Sequence, residues 1–283
     1  MILVTGAGGT VGSEVLKALV ARGAPVRAGY RTRTPPLPAG VEAVALDYDR
    51  PETIRPALEG VETVFLISNT VAPEKRVVDA ARRAGVRRIV KLSVLRAAEE
   101  EFVFGRWHRA VEKHIEASGL PWTFLRPNGF MQNFANNAGG TIRAQGVFYQ
   151  TGSDAPISHV DARDIAAVAT AALTQDGHAG RAYALSGPEA FTGPQAAARM
   201  SAMLGRPIAC VELPPDRMKS GLLSAGLPEW QADRILDLLS YYGAGRAAAV
   251  TGDVKQVTGR DPIPFDQFLV DHRQAFEPRK EPS

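Results

Sequence analysis

The sequence predicts a doubly wound α/β fold, in which helices cover both faces of a parallel sheet. Short apolar runs alternate with amphipathic helical patterns through the first half of the chain, and a glycine-rich turn directly follows the first apolar run. Apolar strands that alternate with helices are typical of βαβ units, whose strands are buried on both faces. The predicted strands are Met1–Thr5, Val26–Tyr30, Val41–Leu46, Thr63–Ile67, Arg88–Leu92 and Trp122–Leu125, with a late strand at 182–187.

The segments between these strands have the patterns of surface helices, for example VGSEVLKALVARG and EKRVVDAARRAG. In DRPETIRPAL we expect Asp49 to cap a helix, because Glu52 follows three residues later and proline stands in the first turn. VDARDIAAVATAALTQDG predicts a helix with Asp161 as its cap and Asp164 in its first turn. After Gly187 the sequence predicts helices separated by glycine and proline.

Composition excludes several classes of protein. The chain of 283 residues is 45% apolar and 22% charged, which is ordinary for a globular protein, and no apolar run approaches the roughly 18 residues of a membrane span. The opening MILVTG has the pattern of a strand and not of a signal peptide. A single cysteine, Cys210, excludes a disulfide framework. We therefore expect a cytoplasmic protein.

The charge pattern gives little support for a nucleic-acid partner. The net charge is +3, and the densest basic run comprises Arg82, Arg83, Arg87 and Arg88. Arginine at the C-terminus of a helix complements the helix dipole, and no aromatic residues interleave with this run. We expect a solvated helix end and neither a nucleic-acid nor a membrane partner.

The segment VTGAGGTVG predicts a dinucleotide site. A strand leads into Gly6, Gly9 and Gly12, with Gly8 as an additional glycine, and a helix follows at once. Such glycines permit a tight turn and a close approach of the backbone to a pyrophosphate, to which the helix N-terminus offers N–H donors. The expected fold is therefore Rossmann-type. The predicted loop contacts are Gly6, Ala7, Gly8, Gly9, Thr10, Val11 and Gly12.

The end of the second strand favours NADP over NAD. An NAD site needs a carboxylate about 20 residues after the glycines. No acidic residue occurs between Ala24 and Val41, whereas Arg31 lies at the predicted strand end and Arg33 follows it. A guanidinium group can bind a ribose 2′-phosphate through planar charged donors. The alternative is a solvated arginine at a strand end. Asp47, after the third strand, is a candidate acceptor for the adenine amino group.

Several motifs together resemble one family. They are TGAGGTVG, YRTR, ALDYDRPETIRPALEGVETVFLIS, DAARRAGVRRIVKLSV, WHRAVEKHIEASGLPWTFLRPNGFMQN and VDARDIA. The chain resembles the NmrA-like, atypical short-chain dehydrogenases/reductases over nearly its whole length. The resemblance is closest to the type-2 NAD(P)H:quinone oxidoreductases and the triphenylmethane reductases.

We expect a Rossmann-type NAD(P)-binding core joined to a smaller, mainly helical C-terminal region that binds substrate. The core is predicted at 1–126 and is completed by 160–187. The substrate-binding lobe is predicted at 127–159 and 188–276, and a flexible tail at 277–283.

The resemblance also implies functional residues. Typical members of the wider superfamily carry Tyr-x-x-x-Lys on the helix before the sixth strand, where this chain has His108 and Glu112, as does the quinone-reductase branch. Ser93 matches the serine of the superfamily. The resemblance places the loop after the fourth strand against the cofactor and Pro127–Gln132 beside the nicotinamide. The cofactor contacts predicted there are Ile67, Ser68, Asn69, Pro127, Asn128, Gly129 and Phe130.

The missing tyrosine indicates a particular type of acceptor. Reduction of a ketone creates an alkoxide, whereas reduction of a quinone creates an oxyanion that is about 6 pKa units less basic. A conjugated cationic dye needs no proton when it accepts hydride. A His108–Glu112 pair would then be a sufficient acid, with Glu112 orienting the imidazole or raising its pKa. The alternatives are a solvent-facing i, i+4 pair and, less favoured, a metal site.

Lys91 lies inside a predicted strand, where a buried ammonium needs a partner that the sequence does not identify. Apolar residues after the sixth strand lie where open α/β sheets bind ligands. The predicted acceptor pocket comprises Phe130, Met131, Asn133, Phe134, Phe148 and Tyr149.

The leading hypothesis is an NADPH-dependent reductase that transfers a hydride to a flat, conjugated acceptor such as a quinone or dye. The alternative is a non-catalytic NAD(P) sensor of the NmrA type that binds a regulatory protein. Reduction or epimerisation of a sugar or isoprenoid ketone is disfavoured, because a strong proton donor is missing. We expect a small-molecule acceptor as the partner and leave a homodimer open.

Overall fold

The structure is a computed structural model that describes residues 1–32, 37–68 and 70–278. The strands are β1 (Ile2–Val4), β2 (Val26–Tyr30), β3 (Glu42–Ala45), β4 (Thr63–Leu66), β5 (Arg88–Leu92), β6 (Trp122–Pro127), β7 (Val147–Gln150), β8 (Arg181–Leu185) and β9 (Ala209–Glu212). The helices are α1 (Thr10–Ala21), α2 (Ile54–Leu58), α3 (Val71–Arg83), α4 (Val103–Ser118), α5 (Gln132–Asn136), α6 (Gly139–Gln145), α7 (Ala162–Thr174), α8 (Gly193–Leu204), α9 (Pro215–Ser224), α10 (Glu229–Gly243), α11 (Asp253–Thr258) and α12 (Phe265–Asp271).

Within the described residues, seven parallel strands form a sheet in the order β3-β2-β1-β4-β5-β6-β8. Leu3 of β1 pairs with Arg27 of β2 on one side and with Val64 of β4 on the other. The strand order therefore reverses at β1, and in open α/β sheets ligands bind outside the carboxyl ends of the strands at this point. The predicted Rossmann-type fold is confirmed.

Apolar side chains from helices and strands form the core on one side of this sheet. Ile54 of α2, Val77 of α3 and Ile115 of α4 belong to the same buried cluster as Leu3 and Phe124. Burial of each such side chain contributes roughly 1.5–3 kcal/mol. The helices α1 and α7 pack against each other, and α7 also contacts β4, β5 and β6. The amphipathic patterns in the sequence thus correspond to helices that cover the sheet.

The chain divides into two compact units. The first comprises Met1–Pro127, Ala162–Leu185 and Asp253–Arg260. The second comprises Asn128–Asp161, Ser186–Gly252 and the chain from Asp261 onward. Asp253–Arg260 packs in the first unit because α11 contacts α7 and β8, although the sequence places this segment in the helical lobe.

The second unit contains a small sheet that the sequence does not predict. β7 and β9 pair in parallel, with Phe148 opposite Cys210. Both strands have only four residues, and they lie outside the alternation of apolar runs and helices from which the large sheet is predicted. The predicted helices after Gly187 are present as α8 to α12.

The predicted cap of the helix after β3 is wrong. A 3₁₀ turn, Pro51–Thr53, precedes α2, and neither element has a side-chain cap. The Asp49 N–H donates to Asp47 Oδ1 at 3.1 Å, and Thr53 Oγ1 accepts from the Asp47 N–H at 3.0 Å. Local bonds between side chains and backbone therefore shape the turn, and the helix begins later than the capping pattern indicates.

The basic residues at the end of α3 lie as predicted. Arg82 and Arg83 occupy its last turn and are exposed. In this position they complement the negative end of the helix dipole. Among the described residues, none of the helices combines the length and the hydropathy that a membrane crossing requires.

Candidate cofactor loop and active site

Two positions of the loop between β1 and α1 require glycine. Gly6 has φ of +58°, in the left-handed region that glycine adopts readily. The Gly9 N–H donates to the Gly6 carbonyl oxygen at 2.9 Å, which closes the turn. A Cβ atom on Gly12 would lie 2.2 Å from that same oxygen. The loop is therefore packed backbone against backbone, as a close approach to a pyrophosphate requires.

The N-terminus of α1 supplies the donors of this site. The helix begins at Thr10, and its N-cap, Gly9, has no side chain that could compete for the first N–H groups. A helix N-terminus without a capping side chain is suited to bind a phosphate, because N–H donors and the positive dipole end act together. The shape of the loop and the donors at α1 thus fit a dinucleotide.

Thr5 joins the glycine loop to the residues after β4. Its hydroxyl donates to the Phe65 carbonyl oxygen at 3.0 Å and accepts from the Ile67 N–H at 2.8 Å. The Cβ of Ile67 would lie 3.5 Å from a Cβ on Gly6. Ser68 follows, and its hydroxyl bonds the Thr70 hydroxyl at 2.9 Å. The structure thus brings together the predicted cofactor residues of these two loops.

The predicted phosphate-binding arginine is exposed at the carboxyl end of β2. Arg31 forms no hydrogen bond or ion pair with any residue that the structure describes. Arg27, two positions into β2, is instead paired with Glu42 at 3.0 Å. Arg33 and Asn69, both predicted to contact the cofactor, lie outside the described residues. Asp47 is half-buried, and one of its carboxylate oxygens accepts from the Asp49 N–H.

Glu112 lies at the centre of a buried network. Its carboxylate accepts from Arg126 Nη2 at 2.7 Å and Nε at 3.0 Å, and from Arg109 Nη1 at 3.2 Å. The Ser93 hydroxyl donates to the same carboxylate at 2.7 Å. Glu112 is fully buried and His108 is 8% exposed, so the solvent-facing pair is wrong. The hydroxyl proton of Ser93 is directed at Glu112.

His108 is held in its neutral form. Burial, followed by the positive charge of Lys91, lowers the pKa of its imidazole well below the ordinary value. The expectation that Glu112 raises this pKa is wrong, because burial and the charge of Lys91 lower it. A neutral imidazole can donate a hydrogen bond through its N–H, but it is a weak acid.

The buried Lys91 has a partner on α3. Its ammonium donates to Glu74 Oε1 at 2.6 Å and to the Leu92 carbonyl oxygen at 3.2 Å, and both charged side chains are almost fully buried. Burial raises the pKa of Glu74 to about 7, although the charge of Lys91 opposes this. Glu74 was not among the predicted site residues. The one signal in the sequence was Lys91 itself, which requires a partner wherever it is buried.

Glu74 and His108 line the same small crevice. Its other lining residues are Ser68, Thr70, Val71 and Trp107. The crevice lies at the carboxyl side of β4, where Ser68 and Thr70 connect the strand to α3. Three elements of the first unit, namely the β4–α3 loop, α3 and α4, therefore bring two titratable side chains together at the ligand-binding edge of the sheet.

Three of the predicted pocket residues belong to the core of the second unit. Met131, Phe134 and Phe148 are buried in one cluster. The ring of Phe134 lies 5.6 Å from that of Phe148 and 5.1 Å from that of Phe265. These contacts account for their burial, and a role in lining a pocket stays a prediction. Phe130 is half-buried, and the remaining predicted pocket residues, Asn133 and Tyr149, are exposed.

The segment after β6 is fixed by its own side chains. Pro127 is the last residue of β6. The Asn128 side-chain amide donates to Ser158 Oγ at 2.9 Å and to the Ala247 carbonyl oxygen at 2.8 Å, while its oxygen accepts from the Gly129 N–H. Asn128 therefore orders the backbone of the second unit, and contact with a nicotinamide stays a prediction.

Comparison with known proteins identifies the family. Residues 6–176 match the model of an NAD(P)H-binding family, which is more than half of the chain. A (4-alkanoyl-5-oxo-2,5-dihydrofuran-3-yl)methyl phosphate reductase from Streptomyces griseus is 43% identical over 98% of this chain and 100% of its own length. An NAD(P)H azoreductase from Xenophilus azovorans is 37% identical over 98% of this chain and 99% of its own.

The chain is also similar to solved structures of reductases. An NADPH-dependent quinone oxidoreductase from Escherichia coli in complex with NADPH superposes with a TM-score of 0.83 and 27% identity, over 96% of this chain and 99% of that one. A triphenylmethane reductase from Citrobacter sp. in complex with NADP(H) gives a TM-score of 0.82 and 25% identity, over 96% and 99% of the two chains. The chain with this glycine loop is therefore an oxidoreductase that belongs to the NmrA-like, NAD(P)H-binding family.

Proposed function

We propose that this protein transfers a hydride from NADPH to a conjugated, planar acceptor such as a quinone or a dye. The observation that carries the proposal is the chemistry of the acid–base position, which holds a neutral histidine, His108, and a carboxylate bound by two arginines. Such a site offers hydrogen bonds but no strong acid. It suits acceptors whose reduced form is a weak base.

The names of the relatives support an acceptor of this class. They refer to a quinone, to azo compounds, to triphenylmethane dyes and to a dihydrofuran ring that carries an alkanoyl and an oxo group. Each of these is a conjugated system in which added electrons are delocalised. An acceptor of the present chain should share this property, whichever single compound it is.

The residues of the first unit have separate roles in the proposed reaction. The loop from Gly6 to Gly12 and the N-terminus of α1 bind the pyrophosphate, and Arg31 binds the 2′-phosphate. When bound, the reduced nicotinamide supplies the hydride. The neutral imidazole of His108 donates a hydrogen bond to the acceptor, while Glu112 and Ser93 hold α4 against β5 and β6. Their burial excludes water from this side of the site.

A panel of acceptors tests the function directly. NADPH oxidation should be measured spectrophotometrically with 1,4-naphthoquinone, an azo dye, a cationic triphenylmethane dye and a simple ketone. We expect turnover with one or more of the three conjugated classes and none with the ketone. Tight NADPH binding without turnover of any acceptor would contradict the proposal and favour the sensor hypothesis.

The preference for NADPH depends on Arg31. The change Arg31→Ala removes the charged donors and should weaken NADPH binding by about 10-fold to 100-fold, since a charge-assisted hydrogen bond contributes roughly 1.5–3 kcal/mol. NADH has no 2′-phosphate, so its Kd should change less than about twofold. Calorimetric titration of both nucleotides measures this difference, with Arg22→Ala at the exposed end of α1 as the control. An equal loss of affinity for NADPH and NADH would contradict the assignment of Arg31 to the 2′-phosphate.

We further propose a cytoplasmic location. The oligomeric state stays open. Both can be checked without any assumption about the acceptor, by fractionation of cells and by light scattering of the purified protein.

A further inference from the structure

Glu74 and Lys91 form a buried acid–base pair to which the proposed reaction assigns no role. We propose that the Glu74 carboxyl group supplies the proton that a quinone takes up on reduction, through the imidazole of His108, and that Lys91 holds this carboxyl in place. The inference rests on the proposed function, because it concerns an acceptor that needs a proton.

A second proton source is needed because the imidazole of His108 is neutral. Reduction of a quinone to a hydroquinone takes up two electrons and two protons, of which NADPH provides both electrons and one proton as hydride. A neutral imidazole does not give up its own N–H proton without replacing it. It can, however, accept a proton on one nitrogen while it releases the proton from the other. A group that can lose a proton near neutral pH must therefore lie beside the imidazole and replace the proton that it releases.

Glu74 is suited to this role by its position. Glu74 and His108 line the same crevice, one from the first turn of α3 and the other from α4. Lys91 bonds only one carboxylate oxygen, Oε1, at 2.6 Å. Because the Lys91 ammonium bonds Oε1, the other oxygen, Oε2, is the atom that can carry the proton.

The charges around Glu74 keep this proton exchangeable. Burial raises the pKa of the carboxyl to about 7, and the Lys91 ammonium prevents a larger rise. Tyr48 faces it from the loop after β3, with its hydroxyl donating to the Ile67 carbonyl oxygen at 3.3 Å. Farther along α3, Arg76 pairs with Asp49 and Asp79 pairs with His114, and Arg55 of α2 lines the same groove as Arg76 and Asp79.

The step conserves atoms and charge. The O–H bond of Glu74 breaks, the proton passes to His108, and the imidazole releases its other proton to the oxygen of the reduced quinone. The Glu74 carboxylate that remains is stabilised by Lys91, and solvent returns a proton to it before the next turnover. A cationic dye that accepts only a hydride does not use this path.

The variant Glu74→Gln tests the proposal, because a quinone needs the proton of Glu74 and a cationic dye does not. At pH 6.5 it should lower kcat/KM for 1,4-naphthoquinone by at least about tenfold and leave kcat/KM for a cationic triphenylmethane dye within about twofold. For the wild type, quinone reduction should decline as pH rises through about 7, because the carboxyl loses its proton, and in the variant this dependence should vanish. Asp79→Asn, an acidic-to-amide change farther along α3, is the control and should change neither activity.

Two further measurements distinguish the loss of the Glu74 proton from structural damage caused by the substitution. Glu74→Gln leaves the Lys91 charge unpaired, so the double variant Glu74→Met/Lys91→Met, which replaces both charges by apolar side chains, should fold and show the same selective loss. Infrared difference spectra of the cofactor-free wild type against Glu74→Gln should show a carboxyl band that titrates between about pH 6 and 8.

Each outcome decides the proposal. Unchanged quinone reduction in Glu74→Gln, an equal loss with quinone and dye, or a carboxyl that titrates below about pH 5 would overturn the role of Glu74 and leave the proposed function intact. A wild-type protein that reduces no acceptor would overturn both.

Discussion

Replacing Gly12 by alanine is expected to weaken NADPH binding by at least about 100-fold, which corresponds to roughly 2.7 kcal/mol. The added Cβ would lie 2.2 Å from the Gly6 carbonyl oxygen and 3.1 Å from the Ala7 Cα. Both neighbours are backbone atoms, so the loop can relieve the clash only by moving away from α1. This movement would displace the N–H groups that the pyrophosphate needs.

The matched control is Gly140→Ala in α6. A Cβ at Gly140 meets no atom within 4 Å, so the same chemical change should leave the NADPH Kd unaltered. Calorimetric titration measures both Kd values, and circular dichroism establishes that Gly12→Ala is folded at the temperature of the titration. A folded Gly12→Ala protein with a wild-type Kd would mean that the loop does not hold the cofactor.

Replacing Arg126 by methionine is expected to lower the free energy of unfolding by about 3–5 kcal/mol. Arg126 donates two hydrogen bonds to Glu112, a carboxylate with no exposed surface. Without it, the partners of Glu112 among the described residues are Arg109 and the Ser93 hydroxyl. A buried charge that has lost a partner is costly, whereas the apolar stem of methionine keeps most of the packing.

Arg87→Met is the control for that measurement. Arg87 also pairs with a glutamate, Glu62, but its side chain is 77% exposed. A surface pair of this kind contributes roughly 0–1 kcal/mol. Urea denaturation followed by circular dichroism should therefore separate the two variants clearly. Equal stabilities would show that the network around Glu112 carries little of the stability of the first unit.

The sequence predicted well those elements whose conformation depends on residues that are close together in the chain. Gly6 and Gly12 each have one physical explanation, since only glycine tolerates the turn at Gly6 and the contact at Gly12. The strands β2 and β5 have the predicted bounds, and four of the five residues in each strand are buried. The cap at Asp49 failed because Asp47 and Thr53 form competing local bonds.

The hydrogen-bond networks around Glu112 and Lys91 could not be predicted for a different reason. Glu112 is held by Arg126, which comes from β6 and lies fourteen positions away, and Lys91 is held by Glu74 across α3 and β5, seventeen positions away. No spacing rule connects residues on different elements. The residue types at 108 and 112 could be found by resemblance, but the loss of charge at His108 depends on burial, which only the folded structure reveals.

The first unit is assembled from three stretches of chain, and this has a consequence for how the protein is made. A nascent chain that has left the ribosome as far as Pro127 contains every strand of the large sheet except β8. It still lacks α7, which packs on β4 to β6, and α11, which packs on α7. Until synthesis passes Thr174, the end of α7, that side of the sheet exposes apolar side chains to water. Efficient production should therefore depend on chaperones that shield the unfinished sheet during translation.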